Sequence, residues 1–481
     1  MYTFAVRGVR QKLQAVAGIP DAGRGLYAPP RPVARPALLA LLRTALRGDG
    51  DLLSLLPANA YRMEIGPLGY SRRSILIVNR PDQVRRVLSD PEGIFPKSDL
   101  MVEALAPLIG DSLFVSSGDT WRRQRRMIDP AFTMMRVNRA FPSMLEGAQA
   151  CQQSLDAHAR DGAVFSLDLA MSHLTADIIC RTVFSASLET KAAHEVFAAF
   201  TTFERSVAQV EIRRLIMDRA WTSVPQRDDV LVACHTIRRH LGDLLDTHLG
   251  PGGARFDDIA SSVIAARDDF TRTAFNREEL IDQLGVLFLA GHETSASALT
   301  WAFFLLAEQP GLVARVRAEI RKVAGDDEPL TIEATRHLPL TRNVFRETLR
   351  LYPPITFLPR VATAPTTIGR HQVRRGALVM VAPWVLHRHA SYWRNPHVFD
   401  PDRFLPEREA EQTSGAYIPF GLGPRVCAGA AFAQTEAVLL IAEMFRRYDF
   451  HVVDPARVRP AARLTTRPTE QIMMRVTRAD A

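Results

Sequence analysis

The stretch FGLGPRVCAG, from Phe420 to Gly429, constrains the fold of this chain more than any other. Helix formers and strand formers are both scarce in it. Gly421, Gly423, Gly429 and Pro424 fix a tight irregular loop. The sequence that follows, AAFAQTEAVLLIAEMFRR, is rich in alanine and leucine and ends on two arginines, so it predicts a helix. Cys427 therefore stands at a helix N-terminus, where unpaired N–H groups and the positive end of the dipole favour a thiolate. A small core residue would account for the cysteine. It would not account for the glycines, the proline or Arg425 two residues earlier. A flat cofactor lying against backbone would require small residues there, and an arginine pointing at it suggests a cofactor with carboxylates.

Three further motifs carry chemistry. In WRRQR, Trp121 and Arg125 are four apart and share one helix face, two donors suited to one carboxylate pair. Arg122 and Arg126 form a neighbouring stripe. In FRETLRLYPP, Glu347 and Arg350 are three apart on a helix that Pro353 and Pro354 end. Exposed, such a pair contributes about 0.5 kcal/mol or less; in so apolar a segment a buried network is expected, with Arg403 of FDPDRF completing it. The stretch LGVLFLAGHETSASALTWAFFLL predicts a long apolar helix with Gly291, His292, Glu293 and Thr294 at its middle. Glycine costs about 1 kcal/mol in a helix interior, and a bare position there would let a ligand approach the backbone. Thr294 can bond back to a carbonyl and help open a bulge, and Glu293 offers an acid for proton delivery. His292, a lone histidine, reads as a core residue.

The rest of the chain frames these motifs. Of 481 residues, 47% are hydrophobic and 23% charged, which permits a large core and a buried cofactor. Residues up to about Pro36 read as a loose Pro-, Gly- and Arg-rich arm, and the leucine-rich piece from Ala37 to Leu56 as an amphipathic surface helix too interrupted to span a bilayer. RSILIVNRPDQVRRVL predicts a strand ending near Asn79 and a helix begun by Pro81. Helix follows helix from about Thr120 to Leu351. TTIGRHQVRRGALVMVAP alternates and predicts a hairpin turning around Arg375-Gly376, followed by loops from Trp384 to Pro419. Cys151, Cys180 and Cys234 form no CxxC pair and read as core residues of a reducing compartment. The net charge of +8 points to an acidic partner; with no nucleic-acid motif beside it, nucleic acid ranks last. Residues 1–60 are assigned to the arm and its helix, and 61–481 to one mainly α domain with small β-sheets.

The cysteine loop, ETLR, AGHETS and WRRQR occur here in the order and spacing of a cytochrome P-450, and the resemblance runs from about Tyr61 to Arg475. It implies the triangular-prism fold of that family and a haem b cofactor with Cys427 as the iron ligand, a thiolate whose electron push favours O–O cleavage. Phe420 would shield the sulfur, and Gly429 would lie beneath the haem. Trp121, Arg125, Arg360 and Arg425 resemble the donors to its propionates. Glu347, Arg350 and Arg403 resemble the structural triad behind the cysteine loop. Ala290 and Gly291 would lie over the distal face, with Glu293 and Thr294 managing O2 and its protons. The implied activity is monooxygenation, the hydroxylation of a lipophilic substrate such as a fatty acid or terpenoid. The regions expected to line its pocket are Phe95 to Phe114, Val196 to Leu215, Phe288, Ile355 to Leu358 and Leu464 to Thr466. Arg213, Arg214 and Arg219 are candidates to anchor a carboxylate. A non-catalytic haem sensor would need no acid–threonine pair, and a peroxide-driven enzyme would be expected to lose it. No room is left after the last helix for a reductase domain, so electrons are expected from a separate acidic ferredoxin or flavodoxin in the cytoplasm, docking near Arg122 and Arg126.

Overall fold

A computed structural model describes residues 27–36, 39, 51–54, 56–68, 74–207, 224–252, 256–325 and 328–479. The helices are α1 Pro81–Ser89, α2 Asp99–Ile109, α3 Gly118–Ile128, α4 Met134–Asp161, α5 Leu167–Phe184, α6 Lys191–Val207, α7 Asp228–Leu249, α8 Ile259–Ala265, α9 Arg277–Ala307, α10 Pro310–Ala324, α11 Ile332–Arg336, α12 Pro339–Leu351, α13 Pro383–Leu386 and α14 Ala430–Phe445. Helices dominate, as the sequence predicts.

The long helix α9 is the axis of the core. Its start is fixed by a capping box: Asn276 Oδ1 accepts from the Glu279 N–H at 2.9 Å, and Glu279 Oε2 accepts from the Asn276 N–H at 2.8 Å. A helix apolar on nearly every side must be covered on nearly every side. It packs against α2, α5, α7, α10, α12 and α14. Trp301, Phe303, Phe304, Leu305 and Leu306 are wholly buried.

The β structure is small. Strands β1 (Ile65–Pro67), β2 (Ile75–Val78), β7 (Leu378–Val381) and β4 (Leu358–Val361) form one sheet in the order β1-β2-β7-β4, with β2 and β7 parallel. Strands β3 (Phe165–Ser166), β11 (Met473–Arg478) and β8 (Tyr448–Val452) form a second. Two hairpins complete the set: β5 (Thr366–Ile368) with β6 (His371–Val373), and β9 (Pro460–Ala462) with β10 (Thr466–Pro468).

Two expectations are corrected here. The β5–β6 hairpin turns at Gly369-Arg370, with φ +58° at Gly369, and not at Arg375-Gly376. The second turn, with φ +84° at Gly376, instead carries the chain out of the hairpin into β7, whose partners are β2 and β4. The N-terminal arm is also not loose over its described part. The Tyr27 carbonyl accepts from the Phe399 N–H, the Pro30 carbonyl from the Tyr352 hydroxyl, and the Arg35 carbonyl from the Ala58 N–H. Leu53, Leu56 and Ala60 enter the main core. The leucine-rich helix expected over 37–56 lies mostly outside the described residues.

Candidate functional site

The cysteine loop has the predicted irregular form, closed by the Cys427 N–H donating to the Phe420 carbonyl at 2.9 Å. Gly423 has φ +76°, and a Cβ there would come within 2.9 Å of the Leu88 carbonyl, so only glycine fits. Gly429 is different. Its φ of −84° suits any residue, and a Cβ would meet protein atoms only at ordinary distances of 3.9 Å or more. Packing among the described residues leaves space over Gly429 unused. Gly429 is the N-cap of α14, which places Cys427 where the sequence puts it.

Cys427 as a residue has exposed surface although burial pushes the pKa of its thiol up. Both hold if the sulfur faces an open interior space. The Gly429 N–H and the Arg125 guanidinium pull the other way and do not win. The helix end thus acts in the expected direction, and a bound metal ion would add a further positive charge on the same side.

Helix α9 carries a matching opening. Almost all of it is buried, yet Ala290 is exposed, and Leu287, Gly291 and Thr294 are partly so. Positions 287, 290 and 294 make one stripe at helical spacing. The Thr294 hydroxyl donates to the Ala290 carbonyl at 2.6 Å, as expected, but the helix runs through unbroken and no bulge opens. Gly291 has a packing reason of its own. A Cβ there would lie 2.3 Å from Ile179 Cδ1, so the bare position lets α5 pack close to α9.

Glu293 points elsewhere again. Only 2% exposed, its carboxylate accepts from Thr465 Oγ1 at 2.5 Å and from Arg467 Nε at 3.0 Å, with a second Arg467 contact through Nη2. It is a buried ion pair behind the helix, one residue from Thr294 but turned away from the Ala290 stripe. His292, expected to be a core residue, is ringed by Phe197, Phe200 and Phe288.

A cluster of cations lies by the cysteine loop; among the described residues Arg360 and Arg425 make no direct ion pair, and the Asp90 carboxylate acts on both only through its charge. Arg425 donates to the Ser116 carbonyl at 2.7 Å and stacks on Trp121 with 4.4 Å to the ring centroid, while its buried Nη1 has no hydrogen-bond partner among the described residues. Arg360, on β4, is 5% exposed and donates to the Pro359 carbonyl. Burial and, for Arg425, the Arg360 charge push both guanidinium groups down to about 10. Lys97, bridged to Arg360 through the backbone, is a member the sequence reading missed. Burial, Arg360 and Arg425 hold its ammonium well below the usual lysine range, and it donates to the Phe114 carbonyl. Arg125 is partly committed: Nε donates to Asp129 at 2.8 Å and Nη1 to the Val426 carbonyl at 2.7 Å, which ties α3 to the cysteine loop. Buried charges are costly unless paired, and this group calls for an anion.

The expected triad is assembled. Arg350 meets Glu347 through two bonds of 2.7 Å, both side chains being wholly buried, and Arg403 reaches Glu347 at 3.4 Å. Arg350 also donates to the carbonyls of His387, Pro396 and Val398, each at 2.8 Å. The network thus holds the loop that leads to the cysteine. Among the described residues no helix is long and apolar enough to cross a membrane.

A thiol facing open space, a glycine that leaves room above it, an anion-seeking cluster beside it and an uncovered stripe on α9 together fit a haem. The comparisons agree: a family profile for cytochrome P450 matches residues 58–476, and the chain belongs to that family. It is a monooxygenase of the haem-binding P450 class. It is similar to cyclooctatin synthase of Streptomyces melanosporofaciens, at 31% identity over 94% of this chain and 92% of the relative. Cyclooctat-9-en-7-ol 5-monooxygenase of the same organism is 31% identical over 85% and 86%. The crystal structure of the cytochrome P450DA heme domain superposes with a TM-score of 0.78 at 23% identity, over 94% of this chain and 98% of that one, and so shares the fold.

Proposed function

We propose that this protein hydroxylates a terpenoid-like substrate at a haem b ligated by Cys427. The observation that carries the reading is the buried cation cluster with its orphaned Arg425 Nη1, set beside a thiol that faces interior space. Lys97, Trp121, Arg360 and Arg425 would hold the haem propionates, with Arg125 beside them; Phe420 and Gly429 would flank the sulfur. The bound haem supplies the reductive activation of O2. The protein's part is to orient, to exclude water and to deliver protons. Thr294, with its hydroxyl proton committed to the Ala290 carbonyl, keeps its acceptor side toward the open stripe, where it can hold a water for O2 protonation. Glu293 resupplies that position from behind.

The proposed substrate pocket is apolar. Leu287, Ala290, Ile355, Phe357 and Leu464 are at least partly uncovered among buried neighbours. Of the regions expected to line it, Phe95 instead joins the second core with Leu76 and Val78, and Arg213, Arg214 and Arg219 lie outside the described residues. Relatives named for cyclooctat-9-en-7-ol and pentalenene support an alicyclic hydrocarbon skeleton over a fatty acid.

Electrons would come from an acidic ferredoxin or flavodoxin. Val426, next to the ligand, is exposed, as are Met134 and Met135 at the start of α4 and the basic Arg122 on α3. Arg126 is a correction to the expected stripe: it is bound to Asp268, which is fully buried, and serves the fold. Four unpaired cysteines support a reducing, cytoplasmic setting.

Titrating the purified holoenzyme with alicyclic terpenes, steroids and fatty acids tests the reading. A spin-state shift and product with terpenes are expected. Tight binding and turnover of fatty acids alone would reject the substrate class.

A further inference from the structure

A cavity of about 150 Å³ lies behind α9, on the side away from the uncovered stripe. Its walls come from α5 (Asp168, Leu169, Ser172), α6 (Phe197, Thr201, Glu204), α9 (His292, Glu293) and the segment Arg463 to Gln471. Arg463, Thr469, Glu470 and Gln471 are exposed, so the cavity borders solvent. Inside it, Arg467 joins Glu293 to Ser172 Oγ at 3.2 Å and to Glu204 at 3.4 Å. The contact to Glu204 is long and can open.

The chemistry of these groups limits the occupant. His292 Nδ1 or Nε2 and the carboxylates of Glu204 and Glu293 have ligand atoms within 4.8 Å of one another. A metal ion would nevertheless meet the Arg467 guanidinium, which already serves both carboxylates as their cation. What remains unsatisfied is neutral and polar: among the described residues the ring nitrogens of His292 are buried with no well-formed hydrogen bond, the Ser172 backbone being the one polar group close to the ring, in a residue 1% exposed. Buried orphan donors and acceptors beside a polar cavity call for water. At about 30 Å³ each, a few waters fit.

We propose that this cavity is the proton intake of the enzyme, in which Glu204 exchanges protons with solvent and His292 holds the water that passes them to Glu293. The reaction needs such a supply: substrate R–H, O2, two electrons and two protons give R–OH and H2O. The electrons come from the redox partner, and the protons must cross a core whose other face toward Thr294 is apolar. The inference rests on the proton role given above to Glu293 and Thr294. Glu204 touches no reacting atom and acts as an outer relay residue.

The test uses the full-length holoenzyme. Two variants are made: Glu204→Gln, which keeps the shape, and His292→Phe, which keeps the aromatic packing and removes both nitrogens. Haem content, the carbon-monoxide spectrum and substrate titration should match the wild type in both. Turnover should fall roughly tenfold, less than the hundredfold or more expected for a group acting at the reacting atoms. The solvent isotope effect in D2O should rise, and Glu204→Asp should recover most of the rate. A high-resolution crystal structure of the wild type should contain waters bonded to His292, displaced in His292→Phe. A dry cavity overturns the proposal, as does a wild-type rate and isotope effect in either variant with normal haem content. If Thr294→Ala wastes O2 while Glu204→Gln does not slow turnover, the intake fails and the Thr294 reading stands. If Thr294→Ala changes nothing, the underlying reading fails.

Discussion

Single residues decide much of this chemistry through their partners. Glu436, on α14, is fully buried; the Ser295 hydroxyl of α9 donates to its Oε2 at 2.6 Å, and its Oε1 has no partner. Burial raises its carboxyl from the ordinary 4.5 to about 8. In the folded protein it keeps a proton that the unfolded chain releases. Its contribution to stability is therefore complete below pH 4.5 and is lost as pH rises through about 8. Burial acts oppositely on His292, His387 and His397, held down to about 3; their contribution is complete above pH 6.5 and is lost as pH falls. The melting temperature should peak near neutrality, and Glu436→Gln should flatten the fall between pH 6.5 and 8.5. An equally steep fall in that variant would show that Glu436 does not titrate there. The role of Thr294 has its own test: Thr294→Ala should consume O2 and reducing equivalents while forming less product and more hydrogen peroxide. Unchanged product per electron would remove it from proton handling. Which residues matter was partly legible. Cys427, Glu347 and Arg350 announce themselves by local spacing. The partner of Glu293 is 174 positions away, and Lys97 meets Arg360 only through an isolated bridge, so neither arrangement could be read from a window of sequence.

At the scale of elements, α9 is the clearest case. Its existence, its burial and the crossing point at Gly291 to Thr294 were legible from apolar content and length. Its rotation was not, because a helix apolar on every side offers no moment to orient it. The glycine expected to face a ligand also serves the contact with α5. Gly291→Ala should gain about 1 kcal/mol in helix propensity but lose about 1–3 kcal/mol to overpacking against Ile179, for a net loss. The same change in an Ile179→Val background should cost measurably less, as denaturant unfolding of the single and double variants would show. Additive losses would mean that the two residues do not compete for the space. The β5–β6 region carries a similar lesson. Two glycines can each take positive φ, and which one closes the hairpin was decided by β7 pairing with β2, some 300 positions earlier in the chain.

Across the whole molecule, the proposed haem site draws on distant segments: residues of α3, β4, α9 and the cysteine loop would surround the haem, with the Glu347 network behind that loop. Charge is arranged at the same scale. A net charge of +8 would favour acidic partners, and on the proposed docking face an exposed arginine should steer them. Among the described residues Arg122 has only the exposed Asp119 as an ion-pair partner, at 2.6 Å. Arg122→Glu should slow electron transfer from an acidic ferredoxin at low salt, with the difference shrinking as the Debye length falls from about 30 Å at 0.01 M to 3 Å at 1 M. Equal rates at low salt would move the docking surface elsewhere. Arg126→Glu would be a poor probe, since it strands the buried Asp268.

Cys427 is proposed as the thiolate ligand of a haem. The carbon-monoxide difference spectrum of the reduced protein addresses it most directly. Wild type should give a thiolate-type band, and Cys427→Ser, still folded by circular dichroism, should lose it. A thiolate-type band that survives in Cys427→Ser would contradict the assignment of the ligand and, with it, the reading of the loop that holds it.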